Sequence, residues 1–327
     1  MREAGRDLLD VVGDEHRRRG RGVSREVRQT GDQILASGQI EGRAVGFTII
    51  GALIRASAVI LLIATPSIIL PSTPGETGQM AMLVAILAAI ATFAEYASKT
   101  PSLIEFREAP PVNRIRFLAL FACVFFLSSL LRGQVAPTTF TVFLDTAGER
   151  LAEMIDFPLS PVRLMIGLLP ESTPEATISI FRTAAGVAYI ISILSLAFMV
   201  ITLRFGRWPL PGRSFNIWTN LPLFNPSVHM DVVQKLRRDA AVNGIFGLTL
   251  PFFVPAVLQL VVQFVDPISL TNPHTLVWSV TAWAFLPSSL IMRGLALSRI
   301  ANILESKQKR ALAKALEDGW VPVQQSA

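Results

Sequence analysis

Six long apolar segments alternate with polar stretches along this chain. A helix needs about 20 residues to cross a hydrocarbon core of about 30 Å, and each segment is apolar over roughly that length. The segments cover approximately residues 48–70, 79–98, 115–134, 183–203, 245–265 and 274–295. Stretches with proline and glycine, which are typical of helix ends, lie between several of them. The pattern predicts an all-α fold: a polytopic transmembrane helix bundle of about six spans, with amphipathic interfacial helices outside the spans.

The first amphipathic helix is predicted at residues 143–157, between spans three and four. At helical spacing, Leu144, Leu151 and Met154 share one face, and charged side chains occupy much of the rest. Residues 157–170 add a second apolar piece, which is too short and too proline-flanked to cross a membrane. The two pieces either lie along the outer membrane face or cap the bundle, and the pattern leaves both alternatives open.

The connection between spans four and five carries a second set of interfacial residues. Trp208 and Trp218 suit the headgroup region, where the ring of an indole contacts lipid while its N–H stays hydrated. Residues further along the connection, up to 242, have the periodicity of a helix whose basic side chains avoid its apolar face. These basic residues are Lys235, Arg237 and Arg238. Such a helix is expected to lie on a bilayer with an anionic cytoplasmic leaflet.

The basic residues are distributed asymmetrically. Twenty-five of the 30 lysines and arginines lie in the N-terminal stretch, the second and fourth connections and the C-terminal stretch. The positive-inside rule therefore places both termini in the cytoplasm. The predicted organisation is a charged cytoplasmic extension (1–44), a six-span membrane domain (45–300) and a cytoplasmic C-terminal helix and tail (301–327). Within the membrane domain, residues 135–182 are expected outside the cytoplasm and residues 204–244 inside it.

Composition agrees with a membrane protein and indicates its source. Hydrophobic residues make up 51% of the chain and charged residues 17%, and the mean hydropathy is +0.49. A soluble domain averages roughly 25% charged residues. The excess of arginine over lysine, together with short loops, favours a bacterial source. A multi-pass protein of the bacterial cytoplasmic (inner) membrane is therefore expected.

The chain offers few groups for catalysis or metal binding. Cys123 is the single cysteine, so an intramolecular disulfide and a cysteine-based metal site are excluded. The three histidines lie in separate segments, which argues against a zinc site, and no nucleophile or phosphate-binding motif is present. The arginine-rich run at 17–28 lacks an aromatic platform for bases. We therefore expect no catalytic residue, no cofactor, no metal and no nucleic-acid partner.

Two ionisable residues, Arg55 and Glu95, lie inside predicted spans. A charged side chain is costly in hydrocarbon unless it pairs, faces the bundle interior or reaches the interface. Because the first two spans are consecutive and antiparallel, the two side chains fall at comparable depth. The sequence predicts a structural intramembrane ion pair between them. Separate snorkelling and a proton or substrate relay are the alternatives.

The fifth and sixth spans carry residues that kink a helix or offer polar groups. Each proline removes a backbone donor and leaves a carbonyl free one turn earlier, and in lipid a protein group or water must satisfy that carbonyl. These proline and polar residues are expected to form one inward face, which serves either a transport pathway or interhelical packing. Its members are Pro251, Pro255, Gln259, Gln263, Ser279 and Thr281.

Two short stretches resemble each other: FLSSLLRG at 126–133 and FLPSSLIMRG at 285–294. They lie at opposite ends of the predicted bundle, as an inverted repeat requires. The similarity covers only a few residues, however, and spans one and two do not resemble spans four and five. We interpret the stretches as two helix ends, with Arg132 and Arg293 anchoring opposite faces of one bundle.

Three classes of function remain. The first is a non-enzymatic accessory, assembly or scaffold component of a membrane complex, with protein partners in that complex; scarce embedded polar groups favour it. The second is a small-solute transporter or channel that uses the proline-kinked fifth and sixth spans. The third, a membrane-embedded enzyme, is disfavoured because the spans lack catalytic groups. The sequence predicts the first class.

Overall fold

The computed structural model describes residues 49–70, 75–98, 102–107, 110–206, 208, 220–221, 231–261 and 272–317. These residues form helices and connecting turns, and no strand occurs among them. The chain divides into two compact units after residue 55, which lies within the first helix. The described part of the first unit, residues 49–55, forms the first turns of that helix, and the second unit contains everything after it.

Eight helices are found within the described residues. In chain order they are α1 (Ile49–Ile69), α2 (Gly75–Ala97), α3 (Pro110–Gly133), α4 (Thr139–Ile155), α5 (Pro161–Ile166), α6 (Glu175–Phe205), α7 (Val232–Val261) and α8 (Pro273–Glu317). All except α4 and α5 are long and apolar enough to cross a membrane. The prediction of an all-helical bundle with six spans is therefore confirmed. The orientation of the termini stays a prediction.

The core of the second unit is built mainly by α3, α6 and α8. One cluster of buried side chains joins these three helices to α5, and it includes Leu127, Phe181 and Val280. A second cluster joins the same three helices to α7 and to the turn before α3, and it includes Phe106 and Met292. Two apolar clusters at different levels thus hold the long helices together.

One predicted interfacial segment turns out to be continuous with a span. The basic helix predicted to end at residue 242 runs without a break into the fifth span, as α7. This helix, α7, packs closely against α8 at two glycines. A Cβ on Gly247 would lie 2.6 Å from the backbone oxygen of Pro287, and a Cβ on Gly294 would lie 2.8 Å from the backbone oxygen of Ala240. Small residues let membrane helices approach this closely.

The amphipathic segment after α3 forms α4, which packs onto the bundle. Thr138 caps its first turn through a reciprocal pair of bonds with Thr141. Glycines then bring α4 against α6: a Cβ on Gly186 would lie 2.7 Å from the Cα of Ala152. The sequence left open whether this segment lies along the membrane face or caps the bundle. The buried face of α4 packs on the bundle, as the capping alternative expects. Its other apolar side chains, such as Phe143 and Met154, are exposed.

Adding one methyl group should destabilise the protein at Gly186 but not at Gly244. A Cβ on Gly186 would overlap the backbone of α4, whereas nothing lies within 4 Å of one on Gly244. We expect Gly186→Ala to cost about 1–3 kcal/mol through overpacking. Gly244→Ala, the matched control, should be neutral or stabilising by up to about 1 kcal/mol, since alanine favours helix. Thermal unfolding in detergent measures both, and equal midpoints would contradict the α4–α6 contact.

Candidate functional site

A polar cavity of about 530 Å³ opens where α3, α7 and α8 meet the turn at residues 102–107. Its polar lining comes from five side chains: Glu105, Asn113, Arg116, Asn243 and Arg293. Leucine and isoleucine side chains complete the wall. Because charged groups inside a membrane protein are costly and usually functional, we take this cavity as the candidate site.

Glu95, at the end of α2, shapes the turn that carries the acidic wall of the cavity. Its carboxylate accepts hydrogen bonds from the backbone N–H groups of Ser102, Leu103 and Ile104 at 2.5, 2.7 and 3.1 Å. The hydroxyl of Ser102 donates a fourth bond, at 2.9 Å. Hydrogen bonds to a charged acceptor are among the stronger ones in proteins, so one buried carboxylate fixes three consecutive residues.

Two further residues hold the same turn. Arg107 Nη1 donates to the carbonyls of Glu95 and Ser98, at 2.9 and 2.6 Å. Phe106 has a φ of 55°, which is uncommon for a bulky residue. The ring of Phe106 is fully buried in the second core cluster, and its N–H donates to the carbonyl of Asn220 at 2.6 Å. Burial of the ring offsets the backbone strain.

The turn places Glu105 against Arg293 of α8. The two form a bidentate pair, with Nε to Oε2 at 2.6 Å and Nη2 to Oε1 at 2.7 Å. The side chains are 11% and 26% exposed, so the pair is largely shielded from solvent. Asn113 on α3 donates to the backbone carbonyl of Glu105 at 2.7 Å. Arg116, one turn further along α3, donates through Nε to the hydroxyl of Ser289 at 2.8 Å.

This site was not predicted from the sequence, because Arg116 was counted with the basic residues of the second connection and Arg293 was interpreted as the anchor of a helix end. The structure turns both guanidinium groups toward the cavity. One sequence signal was available: the arginines lie at the edges of two predicted apolar spans, and the loop before α3 carries two carboxylates, Glu105 and Glu108. In the resembling stretch, Arg132 donates to the carbonyl of Ile69 at 2.9 Å.

Arg55 and Glu95 belong to different units, and their predicted pairing stays a prediction. Within its own unit, Arg55 Nη1 donates to the carbonyl of Gly51 at 2.6 Å. Glu95 binds the turn at 102–104, as described above. The cost of placing a carboxylate in this span is therefore offset, at least in part, by the adjoining backbone.

Hydrogen bonds anchor the proline-containing face of α7 at two points. Pro255 has no N–H, which frees the carbonyl of Pro251, and Trp283 Nε1 of α8 donates to that carbonyl at 3.1 Å. Gln259 Nε2 donates to the carbonyl of Leu164 in α5 at 2.8 Å. On α8, Ser279 is half-buried and Thr281 is buried. Gln263 lies outside the described residues, and the role of this face in transport stays a prediction.

The residues predicted at the interface lie in different surroundings. Trp208 is only 5% exposed, packs in the second core cluster, and its carbonyl accepts a hydrogen bond from Arg299 Nε at 3.2 Å. Arg237 pairs with the carboxylate of Glu305 on α8. Lys235 is half-buried, Arg238 is exposed, and Trp218 lies outside the described residues. Their predicted contact with lipid stays a prediction.

Neither a metal site nor a family match adds to the geometry. Within the described part of the chain, no three histidine, cysteine, aspartate or glutamate side chains form a group that could hold a metal ion. Comparison of the chain with protein-family models, with curated proteins and with solved structures finds no match.

Removing Arg293 should cost more stability than removing the whole ion pair. In Arg293→Met, Glu105 loses its partner while it stays largely buried, which costs about 3 kcal/mol. The double variant Arg293→Met/Glu105→Leu has no unpaired carboxylate, so it should regain most of that loss. Unfolding midpoints in detergent compare the two variants. A double variant less stable than Arg293→Met would show that the pair contributes through something other than charge compensation.

Proposed function

We propose that this integral membrane protein is a non-enzymatic accessory, assembly or scaffold component of a membrane complex. The observation that carries the proposal is the small buried fraction of two spans. In the most apolar stretches of α2 and α7, only 17% of residues are buried, compared with 56% in α8. A helix that its own chain leaves so uncovered presents its apolar surface to lipid or to the helices of a partner.

The polar groups of the spans also support a structural role. Trp283, Gln259 and Arg116 each donate a hydrogen bond to a group on another element of the same chain. The cation of Arg293 is matched by Glu105. A solute pathway needs polar groups that are free to exchange partners as the solute passes, whereas these groups tie helices together. Such bonds between helices are typical of packing.

We propose that the protein resides in the bacterial cytoplasmic membrane with both termini in the cytoplasm. The distribution of lysine and arginine over alternate connections supports this orientation. Reporter enzymes that are active on only one side of the membrane, fused after residue 170 and after residue 327, test it. Activity on the same side for both fusions would contradict it.

Photocrosslinking from α2 tests the scaffold proposal. A photoreactive residue at Leu87, which is 58% exposed, should give a protein adduct in the native membrane, because a partner helix would cover this position. The same residue at Ala89, which is 6% exposed, is the matched control and should give none. Mass spectrometry identifies the adducts. Lipid adducts alone at Leu87, together with a monomer after purification in mild detergent, would contradict the proposal.

Transport is the second candidate, and the proline-containing helices favour it. Both prolines of α7 and Pro287 of α8 lie within helices, and the buried hydroxyl of Thr281 has no hydrogen-bond partner among the described residues. If α7 lines a pathway, Gln259→Leu/Gln263→Leu should abolish solute accumulation in cells that produce the protein at normal abundance. Under the scaffold proposal, accumulation stays as in wild type. Cells without the gene provide the baseline for the measurement.

A further inference from the structure

Arg116 presents a cation to the polar cavity. Glu105 attracts this cation electrostatically, but among the described residues no carboxylate forms an ion pair or a hydrogen bond with it. Its Nε donates to Ser289, and this is the only side-chain hydrogen bond that Arg116 makes with the described residues. The two terminal nitrogens of the guanidinium therefore remain as donors. A partly buried cation is costly unless an anion compensates it.

The neighbouring carboxylates are already engaged with Arg293. Both oxygens of Glu105 accept from that residue, and Asp239 of α7 also attracts it electrostatically. Asn113 and Asn243 use their amide nitrogens to donate to backbone carbonyls, which leaves their side-chain oxygens as acceptors. The cavity thus offers a guanidinium for an anion and amide oxygens for hydroxyl groups.

The cavity lies at the depth of phospholipid headgroups. At 1.5 Å per residue, Arg116 is about 26 Å from the far end of α3, Asn243 about 27 Å from the end of α7 and Arg293 about 30 Å from the start of α8. These ends lie on one side of the bundle, because α8 runs antiparallel to both α3 and α7. If one boundary of a hydrocarbon core about 30 Å thick lies at these helix ends, the other boundary lies close to the cavity.

An apolar surface leads from the cavity toward the membrane interior. Leu103, at its rim, is 70% exposed. Beyond Asn243, α7 exposes Ile245, Phe246 and Leu248, which are 63%, 56% and 67% exposed. A ligand with both an anionic head and acyl chains fits this combination, whereas a soluble anion would use only the polar part.

We propose that the cavity binds one anionic phospholipid whose headgroup carries hydroxyl groups. Arg116 donates to the phosphate, the oxygens of Asn113 and Asn243 accept from the headgroup hydroxyls, and the acyl chains lie along the exposed face of α7. Glu105 and Arg293 form the neutral wall that keeps the cavity open.

Binding of short-chain phosphatidylglycerol to the delipidated full-length protein tests the proposal. Native mass spectrometry or a fluorescence titration in detergent gives the dissociation constant. Arg116→Gln should weaken binding about tenfold or more, the effect of losing charge-assisted hydrogen bonds. Arg114→Gln is the matched control, because this exposed arginine is on the same helix but does not line the cavity. It should change the dissociation constant less than about twofold.

Several results would overturn the proposal. The first three are unchanged binding in Arg116→Gln, an equal loss in Arg114→Gln, and equal affinity for phosphatidylcholine, which lacks the net charge and the headgroup hydroxyls. Displacement of the lipid by an equal concentration of inorganic phosphate would also overturn it and would assign the cavity to a soluble anion. If Arg116→Gln does not fold, Arg116→Lys replaces it. Binding weakened by a few-fold supports the guanidinium contact, and wild-type binding overturns it.

Discussion

Hydrocarbon offers no hydrogen-bond partners, and this constraint decides where the helices of this protein meet. Each polar group that the spans contain must be satisfied by the chain itself or by something at the membrane boundary. The carbonyl that Pro255 leaves free is bound by Trp283, so α7 and α8 are joined at that level. Gln259 joins α7 to α5, and Arg116 joins α3 to α8. Polar contacts thus set the alignment of helices whose apolar surfaces alone would permit many arrangements.

The same constraint operates at the end of the bundle through a turn of six residues. Glu95 ends α2 with a carboxylate that binds three successive backbone N–H groups. The turn that results carries Phe106 into the apolar core and Glu105 to Arg293. A local interaction between α2 and the following turn therefore decides a contact between residues far apart in the chain. That contact in turn forms one wall of the polar cavity, next to Arg116.

The fold could be predicted to the level of spans, and the site could not. Six apolar segments of sufficient length predict six membrane helices, because length and hydropathy are properties of each segment alone. The amphipathic pattern of residues 143–157 also predicted α4, since one face of that helix differs from the other. By contrast, α2 exposes apolar side chains on most of its sides, so its hydropathy does not indicate which face contacts the protein. Neither Arg116 nor Arg293 was predicted to line a site, because their partners belong to other elements.

The sequence by itself determined the class of this protein: an all-helical membrane bundle with few embedded charges and an excess of basic residues on alternate connections. The tertiary structure decided the rotation of each helix about its axis, and with it the partners of embedded polar groups such as Arg116 and Gln259. Hydropathy is nearly uniform around a membrane helix, so it carries little information on rotation. Close contacts such as those at Gly186 and Gly247, and hydrogen bonds such as that of Arg116, depend on that rotation and appear only when the helices are packed.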